Sequence, residues 1–283
     1  MRLILGHNQF LGISHISEDK ARDRDRTFSN IKNIYNIAEA AYNIGYKGMI
    51  IETHPRMLEF LSYYKESGTI DLDFYLQVPY VHGYIQKANE NGIGDLILGI
   101  INQTGLINAG SLAFKGIVNS IKSDYISMSM NLLNLEVSPF SDVKIKTLFL
   151  HNVMTDMLLS LDMQDPAERF SSYVKDELNI EPGFITLNLP LLKSKFEHWD
   201  LSPSSVMTPI NPKGYDMNPS QMEVEKCIEK FDTNIIAMNI FGGGAFSVRD
   251  VQEYIKQRTN IKSCVIGASS IENLRQSFDA FNR

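Results

Sequence analysis

Five of the six histidines in this 283-residue chain follow closely on a short apolar run. His7 and His15 come after Leu3–Leu5, His54 after Gly48–Glu52, His82 after Phe74–Val78 and His151 after Thr147–Leu150; His198 stands apart. Histidine changes charge near neutral pH, so histidines gathered at the ends of apolar segments are candidates for proton transfer. Glu52 adds a carboxylate that can act as a general base, and Tyr80 a phenol that can donate a proton. General acid–base pairs of this kind contribute about 10²–10⁴-fold to a rate. The candidate catalytic set is therefore His7, Glu52, His54, Tyr80 and His151. Four of these, His7, Glu52, His54 and His151, are also donors that zinc accepts. No H-x-H or H-E-x-x-H spacing marks a metal site, so no metal ligand is assigned.

A second pattern suits anions. Gly242-Gly243-Gly244 and Gly267-Ala268-Ser269-Ser270 each follow an apolar run. Small residues let backbone N–H groups approach an anion, and a helix N-terminus adds a favourable dipole. Lys213 supplies a charge that the same anion would meet.

These residues must be positioned by the elements between them. Short apolar runs alternate with longer helical stretches, which is the pattern of a parallel α/β fold. The remaining runs are Phe184–Leu187, Ser205–Thr208, Asn234–Met238 and Ser263–Ile266, which makes eight candidate strands. Several are almost wholly apolar, as strands covered on both faces should be. Helical spacing marks Ser29 to Ile44, Asn218 to Phe231, Ser247 to Gln257 and Ser270 to Phe281, and Ser247 is a plausible N-cap. Glu18 to Arg26 mixes charges of both signs and reads as a solvated loop or helix start. Eight strand–helix units need roughly 250 residues, so the chain is expected to be one (β/α)8 TIM barrel over residues 1–283. The long stretch between the third and fourth runs is expected to be a helical insertion, with Asp124–Leu135 readable as helix or strand. In such barrels the chemistry sits just after each strand, where these candidates fall.

Composition narrows the class. Net charge is -6 and no Lys/Arg block stands out, so no nucleic-acid partner is expected. No run approaches 18 apolar residues, which speaks against a membrane span. The two cysteines, Cys227 and Cys264, lack ligand spacing and suit a reducing cytoplasm. The expected partner is a small-molecule substrate.

Several segments resemble the aldo/keto reductase superfamily. CVIGASSIENLRQSFDAF (264–281) looks like its closing strand and helix, IIAMNIFGGGAF (235–246) like a strand 7 segment, VMTPINPKG (206–214) like strand 6 and its turn, and TLFLHN (147–152) like the strand ending in the active-site histidine. The resemblance covers roughly residues 145–283 and implies a barrel that reduces carbonyls with NADP(H). It also implies that Gly242 to Gly244 and Gly267 to Ser270, with Lys213, hold the cofactor. The family's catalytic set is Asp, Tyr, Lys and His. Here those positions hold Glu52, Met57, Gln77 and His151, and a thioether cannot donate a proton. The strand 7 lysine is Asn239, and the Glu and Asn that touch adenine are Gln276 and Ser277.

Three readings follow. One is an NAD(P)H-dependent oxidoreductase in which Tyr80 or His54 replaces the missing tyrosine. Another is a cofactor-independent or metal-assisted lyase, isomerase or hydrolase acting on a small, phosphorylated or unphosphorylated metabolite. The third is a binding protein with an inactive site.

Overall fold

Eight parallel strands close on themselves in chain order: β1 (Arg2–Leu5), β2 (Gly48–Ile51), β3 (Asp73–Val78), β4 (Ile145–Leu150), β5 (Glu181–Ile185), β6 (Ser205–Pro209), β7 (Asn234–Met238) and β8 (Ile261–Ile266), with β1 pairing both β2 and β8. The structure, a computed structural model, describes residues 1–13, 17–80 and 131–282. The fold is thus the expected (β/α)8 barrel. The expected helical insertion lies largely outside the described residues, although 131–137 are helical and Ser138–Phe140 form a 3₁₀ turn.

Side chains alternate across each strand, so every second residue points into the barrel. The middle inward layer is apolar: Ile4, Ile50, Tyr75, Phe149, Ile185, Met207 and Ile236 form one buried cluster, with Val265 packed against it. The Tyr75 and Phe149 rings stack at 6.4 Å between centroids. Gly183 makes room for them, since a Cβ there would meet the Phe149 ring at 2.5 Å. Below this layer Asp73 gathers Arg2, Lys144 at 2.6 Å and Lys146 at 3.9 Å. The outward faces of the strands pack under the helices in a second, larger core.

The helices start and stop for local reasons. Asn30 caps Ile31–Ile44, Ser220 caps Gln221–Lys230 and Ser247 caps Val248–Lys256, each side-chain oxygen accepting a backbone N–H of the first turn. The mixed-charge stretch is a helix, Glu18–Phe28, capped by Ser17. Several boundaries move by one to three residues. The fifth strand runs from Glu181 to Ile185 rather than from Phe184 to Leu187, and beyond it the Leu187 N–H turns away to Asp156, which the Thr186 hydroxyl also bonds. The helix expected from Asn218 begins at Gln221. Among the described residues, no helix is long and apolar enough to cross a membrane.

Candidate active site

The mouth of the barrel is built from the residues one alternation beyond the apolar layer. Ile50 faces Tyr75 across β2 and β3, so Glu52 and Gln77, two residues further on, come side by side. The Gln77 amide nitrogen donates to Glu52 Oε2 at 2.7 Å and lies 3.3 Å from His7 Nε2. His7 Nε2 is 3.6 Å from the same carboxylate oxygen. His7 and Glu52 are only 4% and 6% exposed. Burial alone pushes the Glu52 carboxyl up. The hydrogen bonds and charge of His7, the Gln77 amide and the nearby His54 outweigh it and hold the group at about 2. Three elements thus converge on one ionised, buried carboxylate.

His54 and His151 share a different device. Each directly precedes the helix that follows its strand, Pro55–Ser67 and Asn152–Ser160 respectively, His54 three residues after the end of β2 and His151 one residue after the end of β4. His54 Nδ1 accepts the Arg56 N–H at 3.1 Å, and His151 Nδ1 accepts the Val153 N–H at 3.3 Å. Each ring therefore caps a helix through its Nδ1 lone pair, which fixes the neutral tautomer with the proton on Nε2. Protonating Nδ1 would break the cap and place a cation at a helix N-terminus. Burial holds His54 below the ordinary histidine value, with the Glu52 charge opposing and the Arg56 charge assisting. Tyr80 stands edge-on to the His54 ring, 5.3 Å between centroids, and burial together with the Glu52 charge pushes its phenol up.

Supporting contacts set these side chains in place. Arg56 donates to the Phe10 carbonyl at 2.7 Å and to Asp25 at 2.8 Å, tying the turn that bears His7 to the helix that His54 caps. Thr53 donates its hydroxyl to the buried Glu136. On the helix behind His151, burial raises the Asp156 carboxyl, against hydrogen bonds from the Thr186 hydroxyl and the Leu187 N–H.

Sequence reasoning grouped His7, Glu52, His54, Tyr80 and His151. The first four lie in one connected neighbourhood, and His151 caps its helix at the end of the adjoining strand β4. His15 and His82 fall outside the described residues, and His198 is exposed at the end of helix Leu189–His198. Gln77 was read only as the replacement of a lysine. Its part in the cluster follows from the β2–β3 register, which sets Ile50 opposite Tyr75. Among the described residues, no group of three or more His, Cys, Asp or Glu is arranged as a metal site.

The glycine segments look different in three dimensions. Gly242, Gly243 and Gly244 all have positive φ, at 51°, 72° and 104°, in one tight turn. Their turn uses its own donors: Gly242 N–H goes to Asn239, while those of Gly244, Ala245 and Phe246 go to the Phe241 carbonyl. Lys213 Nζ sits 5.8 Å from the centre of the Phe246 ring. After β8, Ser270 caps the last helix by accepting the Asn273 N–H. Ser277 is buried and hydrogen-bonded to Tyr46.

No family model and no curated protein matches this chain. Solved structures do. The fold is shared with aldo-keto reductases. A Pseudomonas aeruginosa protein described as one superposes with a TM-score of 0.61 at 12% identity, covering 99% of this chain and 91% of its own. An aldo/keto reductase of Brucella melitensis gives 0.58 at 12%, with 99% and 89% covered. A Bombyx mori aldo-keto reductase in complex with NADP gives 0.52 at 9%, with 99% and 84% covered. At these identities the likeness is one of fold.

A nicotinamide dinucleotide is the cofactor this likeness implies, so the glycine segments are the place to test its fit. A Cβ on Gly242 would meet the Phe246 ring at 2.5 Å, and the place of a Cβ on Gly267 is taken by the Gln9 side-chain amide. Both cradles are filled from within the chain, and in the first turn the amides of Gly242, Gly244, Ala245 and Phe246 already have acceptors. Met57, at the position of the missing tyrosine, is wholly buried in the outer core. The residues present do not fit a dinucleotide held in the manner the resemblance implies.

Proposed function

We propose that this chain is an enzyme that moves a proton on a small carbonyl-bearing metabolite, with His7 as the base. The observation that carries this reading is the buried cluster in which Glu52, ionised down to about pH 2, faces His7 with Gln77 holding the carboxylate. So acidic a carboxylate is a poor proton acceptor at neutral pH. It is well suited to orient an imidazole and to stabilise the imidazolium that forms when His7 takes a proton. His7 Nε2 faces Glu52, which leaves Nδ1 as the nitrogen that exchanges a proton with substrate. His54 and His151, held neutral with Nε2–H, are hydrogen-bond donors for a carbonyl oxygen as negative charge develops there. Removing one such donor typically costs about 10²–10³-fold in kcat. The His7 imidazolium then returns the proton to the substrate, which restores the neutral imidazole.

The test is exchange of solvent deuterium into the carbon next to the carbonyl, followed by proton NMR over a panel of hydroxy-aldehydes, hydroxy-ketones and keto acids. Exchange with at least one class, abolished in His7→Asn, is the expected result. No exchange across the panel, or exchange undiminished in the variant, would overturn the reading.

A second reading is NAD(P)H-dependent carbonyl reduction with a non-standard catalytic set. It is favoured by the barrel shared with a silkworm aldo-keto reductase in complex with NADP and by His151 at the end of β4. The filled glycine cradles weigh against it.

A further inference from the structure

We infer that the β5–β8 half of the mouth is closed by the chain's own side chains, and that the ligand is a small non-nucleotide molecule confined to the β1–β4 half. The proton-transfer reading above locates the chemistry at His7; the present inference deepens it by limiting the size and class of the substrate.

The division is visible strand by strand. After β1 to β4 come His7, Glu52, His54, Gln77, Tyr80 and His151, joined to one another or set on helix starts. After β5 to β7 the side chains of Thr186, Asn188, Asn211 and Asn239 are committed to partners within the chain. Thr186 donates to Asp156 and accepts from the Asn188 N–H, and Asn188 in turn caps its helix. Asn211, fully buried, donates to the Tyr215 carbonyl at 2.7 Å and accepts the Tyr215 N–H at 2.8 Å. Asn239 donates to Asp216 at 2.9 Å. Each of these groups would have to surrender an intramolecular partner to bind a ligand, and a partner removed from a buried polar atom costs about 1–3 kcal/mol.

The glycines complete the closure. Phe246 lies against Gly242 and Gln9 lies against Gly267, each in the space a pyrophosphate would need for close backbone approach. Gln9 belongs to the turn Asn8–Leu11 that immediately follows His7. One short turn therefore both presents the base and covers the β8 loop. The Gln9 Oε1 is buried without a hydrogen-bond partner, and its amide nitrogen takes the place of a Cβ on Gly267.

Two measurements on the whole chain test this. In the first, NADPH and NADP⁺ are titrated into the wild-type protein by nicotinamide fluorescence and calorimetry. A flat response through millimolar cofactor is expected, and saturable binding in the micromolar range would overturn the inference. In the second, thermal midpoints are compared for Gly267→Ala, Gln9→Ala and the double variant. The Gly267→Ala variant should melt lower, and adding Gln9→Ala should recover most of the loss, because the two changes compete for one space. Additive shifts would show that Gln9 does not fill the cradle and would also overturn it. Cofactor binding would leave a positive deuterium-exchange result standing, and a failed exchange experiment would leave a flat titration standing, so the two proposals fail separately.

Discussion

Replacing Glu52 by Gln removes the charge at the centre of the cluster while keeping its shape. The size of the effect follows from the depression of the carboxyl from an ordinary 4.5 to about 2. At about 1.4 kcal/mol for each pH unit, that depression is worth on the order of 3 kcal/mol of folding stability. The sign is that of a carboxylate favoured in the folded state. The contribution is fully present above the unfolded value of 4.5 and is lost as pH falls through the folded value near 2. The assay is urea unfolding of the wild type and of Glu52→Gln at a series of pH values. The variant mimics the protonated acid at every pH, so the difference between the two curves cancels the other carboxylates. The wild type should be the more stable by up to about 3 kcal/mol at neutral pH, with the gap closing between pH 4.5 and 2. A gap that stays constant through that window would refute the reasoning, because the carboxylate would then be no more favoured in the fold than in the unfolded chain.

Other expectations follow from particular contacts. His151→Asn keeps a good N-cap and should unfold within about 0.5 kcal/mol of wild type, whereas His151→Ala should lose about 1 kcal/mol; both should slow deuterium exchange by about 10²-fold. An NMR titration of His54 should give a midpoint below the ordinary histidine range, and folding stability should fall as pH drops through it, since the folded ring resists its proton. Gly183→Ala forces a methyl into the Phe149 ring and should destabilise by about 1–3 kcal/mol in chemical unfolding. Arg56→Ala breaks the tie between the His7 turn and helix Pro55–Ser67 and should lower stability by about 2 kcal/mol, read by the same method.

How much of this was legible in the sequence depends on the kind of interaction. All eight strands could be located, because strands buried on both faces leave near-continuous apolar runs. The helix at Val248–Lys256 was legible to its cap, since Ser247 followed by Asp250 is a local signal. The fifth strand slipped because Pro182-Gly183 looks like a turn. Gly183 belongs inside a strand here for a reason 34 positions away in the chain, the Phe149 ring that covers it. The site divides in the same way. Histidines after strands were readable one at a time, but the Glu52–Gln77 pair depends on the β2–β3 register. The glycine runs suggested an anion site because composition cannot say whether the space above a glycine is open. Phe246 and Gln9 fill it, and the first of these lies only four residues from Gly242.

The apolar layer across the middle of the barrel has an electrical consequence. Arg2, Asp73, Lys144 and Lys146 form a dense charge group beneath it, and His7 and Glu52 lie above. Between them stand Ile4, Ile50, Tyr75, Phe149, Ile185, Met207 and Ile236, a slab with no charged group. It works as an insulator: it offers no chain of polar groups along which a proton could pass from floor to mouth. The groups that set the acidity of Glu52 are accordingly those of the mouth itself, His7, Gln77 and His54.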